Sequence, residues 1–208
     1  MKRRVMPVLL ALALMGLPVA AGIEGFTMAQ EPTQVHVRGT VVDLDGSTLK
    51  VATREGKTQA VTFAKGWVLS GVARAAIADI KPGDFVGIAS RATANGGDGA
   101  LEVLIFPPEL KGAGEGSHSW DLRPHSSMTN ATVADAVTDV AGRTVTVSYH
   151  GKKKKISIPD GTPVVTLAPA TLADLVPGAV VFVAGEQTAA GVVAHQVVVG
   201  ENGVVPPM

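Results

Sequence analysis

"VRGTVVDLDGSTLKVATREGKTQAVTF", Val37 to Phe63, is matched about 95 residues later by "VADAVTDVAGRTVTVSYHGKKKKISI", Val133 to Ile158, with the turn at Gly46 over the turn at Gly142. Both stretches alternate valine with polar residues and break at glycine-containing turns, the pattern of a three-strand meander buried on one face. Further on, "IADIKPGDFVGIA" (Ile77 to Ala89) is matched by "LADLVPGAVVFVA" (Leu172 to Ala184), with Pro82-Gly83 over Pro177-Gly178. Two motifs in one order at one offset argue for a duplicated unit rather than one continuous fold.

In the first unit the alternation predicts strands at 35–43, 48–54 and 58–63, a short helix ending before Pro82, then strands at about 84–91 and 100–106. The second unit reads as strands at 133–141, 144–150 and 153–158, a short helical stretch near 170–175, and strands at 179–185 and 191–199. Three strands, a helix and two strands is the order of an OB-like barrel. The expected fold class is all-β with short helices, as tandem duplicated five-stranded OB-like small barrels. The expected domains are a first β domain over 35–106, an interdomain segment over 107–129, a second β domain over 130–199 and a C-terminal tail over 200–208.

Composition narrows the chemistry. The chain of 208 residues has no cysteine, which excludes disulfides, thiolate metal sites, cysteine nucleophiles and iron-sulfur centres. Its apolar content is 46% but only 4% is aromatic, so the core is aliphatic. "MKRR" followed by "VMPVLLALALMGLPVAA" reads as the basic and apolar regions of a secretory signal peptide over 1–21, with Val19 and Ala21 as the small residues before the cut and an alternative cut after Ala29. Removing Lys2, Arg3 and Arg4 from 18 basic residues leaves 15 against 18 acidic ones, a formal charge of −3 with no global field to attract nucleic acid. No later run is long enough to span a bilayer, so the expected location is the periplasm or the medium.

The tandem "V.GTV..LDG.TL.V" and "L..L.PG..V" units, the central "GEGSHSWDLRP.SSMTNATV" and the ending "VVPPM" carry a resemblance. They resemble a bacterial exported family of small OB-like β domains of unknown function. Within it they look like a two-domain subgroup to which the label "metal ABC transporter permease" is often attached automatically. The resemblance implies an exported β protein. The label fits poorly, because a permease needs several membrane-spanning helices.

Three constellations are candidate sites. In "GEGSHSWDLRPHSSM" (Gly114 to Met128), a segment between the units carries one of only two tryptophans, and the ordinary role for it is packing. Trp120, with Asp121 and Arg123 pairing or capping turns beside it, is expected to form an interdomain clasp. The same segment offers His118, Asp121, His125 and Met128 as metal ligands, mixed His and Met favouring copper, His and Asp alone zinc or nickel. The spacing matches no compact metal motif, and His36, His150 and His195 read as surface histidines. Lys152, Lys153, Lys154 and Lys155 form a charge run at a hairpin tip, read either as a solvated tip that discourages edge pairing or as a patch for an anionic ligand, with alternate lysines expected on opposite faces. Ser117, Ser119, His118 and Asp121 include the residue types of a hydrolase triad, but no nucleophile elbow accompanies them.

These readings converge on an exported non-catalytic β protein, a binding or structural module at the cell envelope without a cofactor. Its partner is an envelope protein or an anionic surface, not nucleic acid. The alternative is a periplasmic metal-binding protein using the central His/Asp/Met segment with copper or zinc.

Overall fold

A computed structural model describes residues 33–139 and 142–206, and the expected signal peptide and its cut after Ala21 or Ala29 lie outside them. Valine-rich alternation produces β1 (Thr33–Asp45), β2 (Thr48–Thr53) and β3 (Thr58–Arg74) as an antiparallel meander. Gly46, at φ 55°, makes the tight turn from β1 to β2 that a β-branched residue would resist.

β3 runs on past the end expected at residue 63, and this extension decides the architecture. The alanine-containing stretch after it was expected to be helical. Instead Gly71–Arg74 pair with a later strand, and only Ile77–Asp79 makes a single 3-10 turn, closed by the Asp79 carboxylate accepting from the Ala76 N–H at 2.7 Å. Ladder hydrogen bonds outweigh the helix propensity of alanine here. At 17 residues, β3 spans on the order of 50 Å. It therefore carries the chain out of its own meander.

The last two strands that complete that meander come from the other end of the sequence. β11 (Val180–Thr188) pairs antiparallel with β1 and with β12 (Gly191–Gly200), and β12 pairs parallel with β3. The ring β1-β2-β3-β12-β11 is a closed five-stranded mixed barrel. Leu49, Val51, Val61, Val183 and Val197, all fully buried, fill it.

Seven further strands surround a second apolar cluster. These are β4 (Phe85–Ala92), β5 (Asp98–Ile105), β6 (Gly116–Trp120), β7 (Ser126–Asp139), β8 (Gly142–Tyr149), β9 (Lys152–Ser157) and β10 (Val164–Ala168). The order β5-β4-β7-β8-β9 is antiparallel throughout, β6 forms a hairpin with β7, and β10 joins β3 to β5. Val86, Ile88, Val103, Val147 and Ile156 lie at the centre of this cluster. A third cluster, with Val72, Leu104, Val165, Phe182 and Val198, packs residues of the barrel against residues of the second set.

The expectation of two barrels, each closed by one sequence unit, needs correction. One closed barrel is present, and its strands come from both 35–106 and 130–199. In the second set β5 meets β9 over two residue pairs only, Asp98 with Ile156 and Gly99 with Ser157, before pairing with β10. The physical reason is local: Pro159 and Pro163 interrupt the edge between β9 and β10, where β3 has no proline. The turn equivalence expected of Gly46 and Gly142 is also loose, since Gly142 opens β8 opposite Asp139 and residues 140–141 lie outside the described part. Among the described residues no helix is long and apolar enough to cross a membrane.

Separating the chain after residue 112 tests the exchange of strands. Residues 33–112 alone lack β11 and β12 and should show no cooperative thermal unfolding. Mixing them with 113–206 should restore one transition. Cooperative folding of the first fragment by itself would contradict the pairing.

Candidate functional site

The stretch expected as an interdomain segment is mostly a hairpin. Gly116 to Trp120 pair in register with Asn130 to Ser126, and the turn between them is held by Ser126 Oγ, 2.8 Å from the Arg123 carbonyl and accepting from the Arg123 N–H at 3.2 Å. His125 supplies the left-handed residue, at φ 60°. This geometry aims the end of β6 at the barrel wall.

Trp120 meets that wall. Its ring centroid is 4.5 Å from that of His36 on β1 and 6.3 Å from that of Phe182 on β11, and the Arg38 guanidinium lies 5.8 Å from the indole. Asp121 Oδ1 accepts a hydrogen bond from Arg38 Nη2 at 2.7 Å and lies 3.0 Å from His36 Nδ1. Burial pushes the Asp121 carboxyl up, but the bonds to Arg38 and His36 outweigh it and hold the group below its ordinary value. Of the three residues expected in a clasp, Trp120 and Asp121 come together against β1. Arg123 does not join them and instead lines a neighbouring cleft.

The candidate metal ligands are dispersed. Met128 is buried in β7, His118 stands opposite it on β6 and is exposed, His125 is exposed in the turn, and Asp121 is engaged by Arg38 and His36. Among the described residues no group of three or more His, Asp or Glu could hold a metal ion.

The lysine run splits by face, as strand alternation requires. Lys152, Lys153 and Lys155 are exposed, whereas Lys154 shares the inward face of Ile156. Its Nζ is 3.2 Å from Asp98 Oδ2 and donates to Ser127 Oγ at 3.3 Å and Thr129 Oγ1 at 3.4 Å.

Strand exchange assembles another site. Arg54 lies just after β2, Arg74 ends β3, Arg123 lies in the hairpin turn, and Glu102 is on β5. All four line one cleft of about 750 Å³, with Leu101, Leu122, Val165 and Val204 as apolar wall. Glu102 is 5% exposed and its Oε1 has no hydrogen-bond partner among the described residues. Burial pushes its carboxyl up to about 8, against the opposing pull of Arg38 and Arg54. Among the described residues the other buried side-chain polar atom without a partner is Trp120 Nε1. Sequence reasoning passed over Arg54, Arg74 and Glu102. Only Glu102 left a signal, as a carboxylate within the apolar run "ALEVLI".

No family model, curated protein or solved structure matches the chain.

Two measurements probe this geometry. Trp120→Ala should lower unfolding stability by about 2–4 kcal/mol, the scale for losing a large packed aromatic; a loss within error would exclude a packing role. Glu102 is protonated in the fold up to about pH 8 and ionises near 4.5 when unfolded. Its contribution to stability is therefore complete below about pH 4.5 and disappears as pH rises through about 8. Denaturant titrations should show that decline in the native chain and a flatter profile in Glu102→Gln.

Proposed function

We propose that the protein is an exported, non-catalytic binding module of the cell envelope, and that the arginine-lined cleft is its binding surface. The observation that carries this reading is the convergence of Arg54, Arg74 and Arg123, distant in sequence, on one cleft with a single buried carboxyl. Three guanidinium groups bind anions through fixed donor geometry. Among the described residues Glu102 is the one carboxyl lining the cleft, and turnover by acid-base chemistry usually needs a second group. Support for export comes from the basic and apolar start of the sequence and from the resemblance of its repeated units to an exported family. The ring order of the barrel, with its one parallel junction between β3 and β12, favours an OB-like reading of that part.

Fractionation tests the proposal. The chain should appear in the periplasm or medium with its new N-terminus at Gly22 or Gln30, and should stay on washed envelopes at low salt. An Arg54→Gln/Arg74→Gln variant should wash off. An uncut cytoplasmic chain, or equal retention of the variant, would contradict the reading.

The exposed lysines support a second contact, with an anionic surface. Lys152, Lys153 and Lys155 have no ion pair among the described residues, whereas Lys154 is committed to Asp98. Replacing the three with Gln should reduce retention on vesicles containing phosphatidylglycerol, and the difference should vanish at high salt, where exposed charges are screened. Lys154→Gln should instead lower stability while leaving low-salt retention nearly unchanged.

A further inference from the structure

We infer that the cleft holds a small amphiphilic anion, a carboxylate or phosphate monoester with an apolar body, its head group between Arg54, Arg74 and Arg123 and against Glu102. The inference rests on the reading of this cleft as the binding surface and names the chemistry of its ligand.

Charge is the first ground. Among the described residues none of the three guanidinium groups has a carboxylate at ion-pairing distance; the arginine ion pairs belong to Arg38 and Arg143. Three like charges around one cleft repel one another, and an anion placed among them reverses the sign of that interaction. The flexible side chains are exposed at the rim, where each can turn its planar fork to an oxyanion.

The second ground is independent of the arginines. Glu102 lines the same cleft, is more than nine-tenths buried, and leaves Oε1 without a hydrogen-bond partner among the described residues. A buried polar atom of this kind costs roughly 1–3 kcal/mol when nothing meets it. As a neutral acid Glu102 does not oppose an incoming anion, whereas as a carboxylate it would repel the ligand. Burial favours the neutral acid near neutrality.

The wall sets the character of the ligand's body. Leu101, Leu122, Val165 and Val204 present aliphatic surface beside the arginines, and no aromatic ring lines the cleft. Base stacking, the ordinary means by which single-stranded nucleic acid is held, has no platform here. The volume of about 750 Å³ lies within the range for small-molecule sites. An inorganic anion would leave the apolar wall unused, and a neutral alcohol would leave the arginines unused.

Calorimetric titration of the full mature chain with hexanoate, hexyl phosphate, inorganic phosphate and hexanol separates these possibilities. At least one of the two amphiphilic anions should bind saturably at one per chain, ten-fold or more tighter than both inorganic phosphate and hexanol. The stronger of the two identifies the head group. Arg54→Gln/Arg74→Gln and, separately, Arg123→Gln should each weaken binding about ten-fold or more, with thermal unfolding near that of the native chain as the check on folding.

The pH arm uses hexanoate, or hexyl phosphate above its second ionisation if only that anion binds. Affinity should fall as pH passes about 8, when Glu102 loses its proton, and Glu102→Gln should remove that fall. The charged groups acting on Glu102 are Arg38 on β1 and Arg54 after β2, and Arg74 and Arg123 line the same cleft; all four are present in both chains, so their contribution cancels in the comparison. His36, joined to Arg38 through Asp121, is present in both chains, so its contribution cancels in the comparison. No saturable binding by either amphiphilic anion, binding no tighter than that of inorganic phosphate, or binding indifferent to all three arginines would overturn the inference. If neither anion binds yet the arginine variant still washes off envelopes, the ligand chemistry fails and the binding-module reading stands; if retention is also indifferent, both fail.

Discussion

Two backbone hydrogen bonds govern the architecture. The Gly83 N–H donates to the Val133 carbonyl and the Gly178 N–H to the Val41 carbonyl, each at 2.8 Å. In both cases a Pro-Gly turn docks at a bulge in a strand of the other half of the chain, between Val133 and Asp135 or between Val41 and Asp43. Each bond has a return partner, Val133 N–H to Asp84 and Val41 N–H to Ala179, also at 2.8 Å. Glycine is required at both turns, with φ of 93° and 88°, because a side chain would strain that backbone. Once these turns are docked, β4 must start beside β7 and β11 beside β1.

Crossing the chain in this way creates the third apolar cluster. Phe182 and Val198 face away from the barrel interior and meet Leu104 and Val165. Neither half could bury that face alone, so the cluster ties the two halves together more firmly than a flexible linker could. Trp120 and Asp121 add a polar-edged contact at its margin, where Arg38 bonds Asp121 and lies 5.1 Å from the Phe182 ring centroid. An ion pair this exposed on its acidic side contributes little by itself, so the packing of Trp120 carries more of the contact energy.

Periodicity made the strands legible. β2, β4 and β8 lie within a residue or two of their expected bounds, because their buried valines and isoleucines alternate cleanly or run unbroken between turns. The continuation of β3 through Gly71–Arg74 was hidden, since "GVARAA" carries helix-forming residues and its strand state depends on pairing with β10. Exchange of partners was hidden for a related reason: a pattern of period two says which face is buried but not against which strand. Trp120 and Asp121 could be singled out by rarity and position. Arg54 and Arg74 could not, because nothing local distinguishes a cleft arginine from a solvated one when distant chain segments form the cleft.

The cleft and the clasp share one constraint, the desolvation of polar groups at a seam between β surfaces. Glu102 Oε1 and Trp120 Nε1 are both buried without a partner among the described residues, and Arg38 is linked electrostatically to the first and lies over the ring of the second. A purely apolar seam would hold the halves together at lower cost, since an unmet polar atom subtracts from stability. Arg38 links the two sides, its Nη2 bonded to Asp121 and its charge drawing on the Glu102 carboxyl. Glu102 thus lies between Arg38 and a cleft whose other charged side chains, among the described residues, are the arginines. A neutral acid beside three cations tolerates an incoming anion, whereas an ionised one would already neutralise part of the field that attracts it. Burial of Glu102 is therefore what keeps the arginine charge available to a ligand, and the exchange of strands is what supplies that burial.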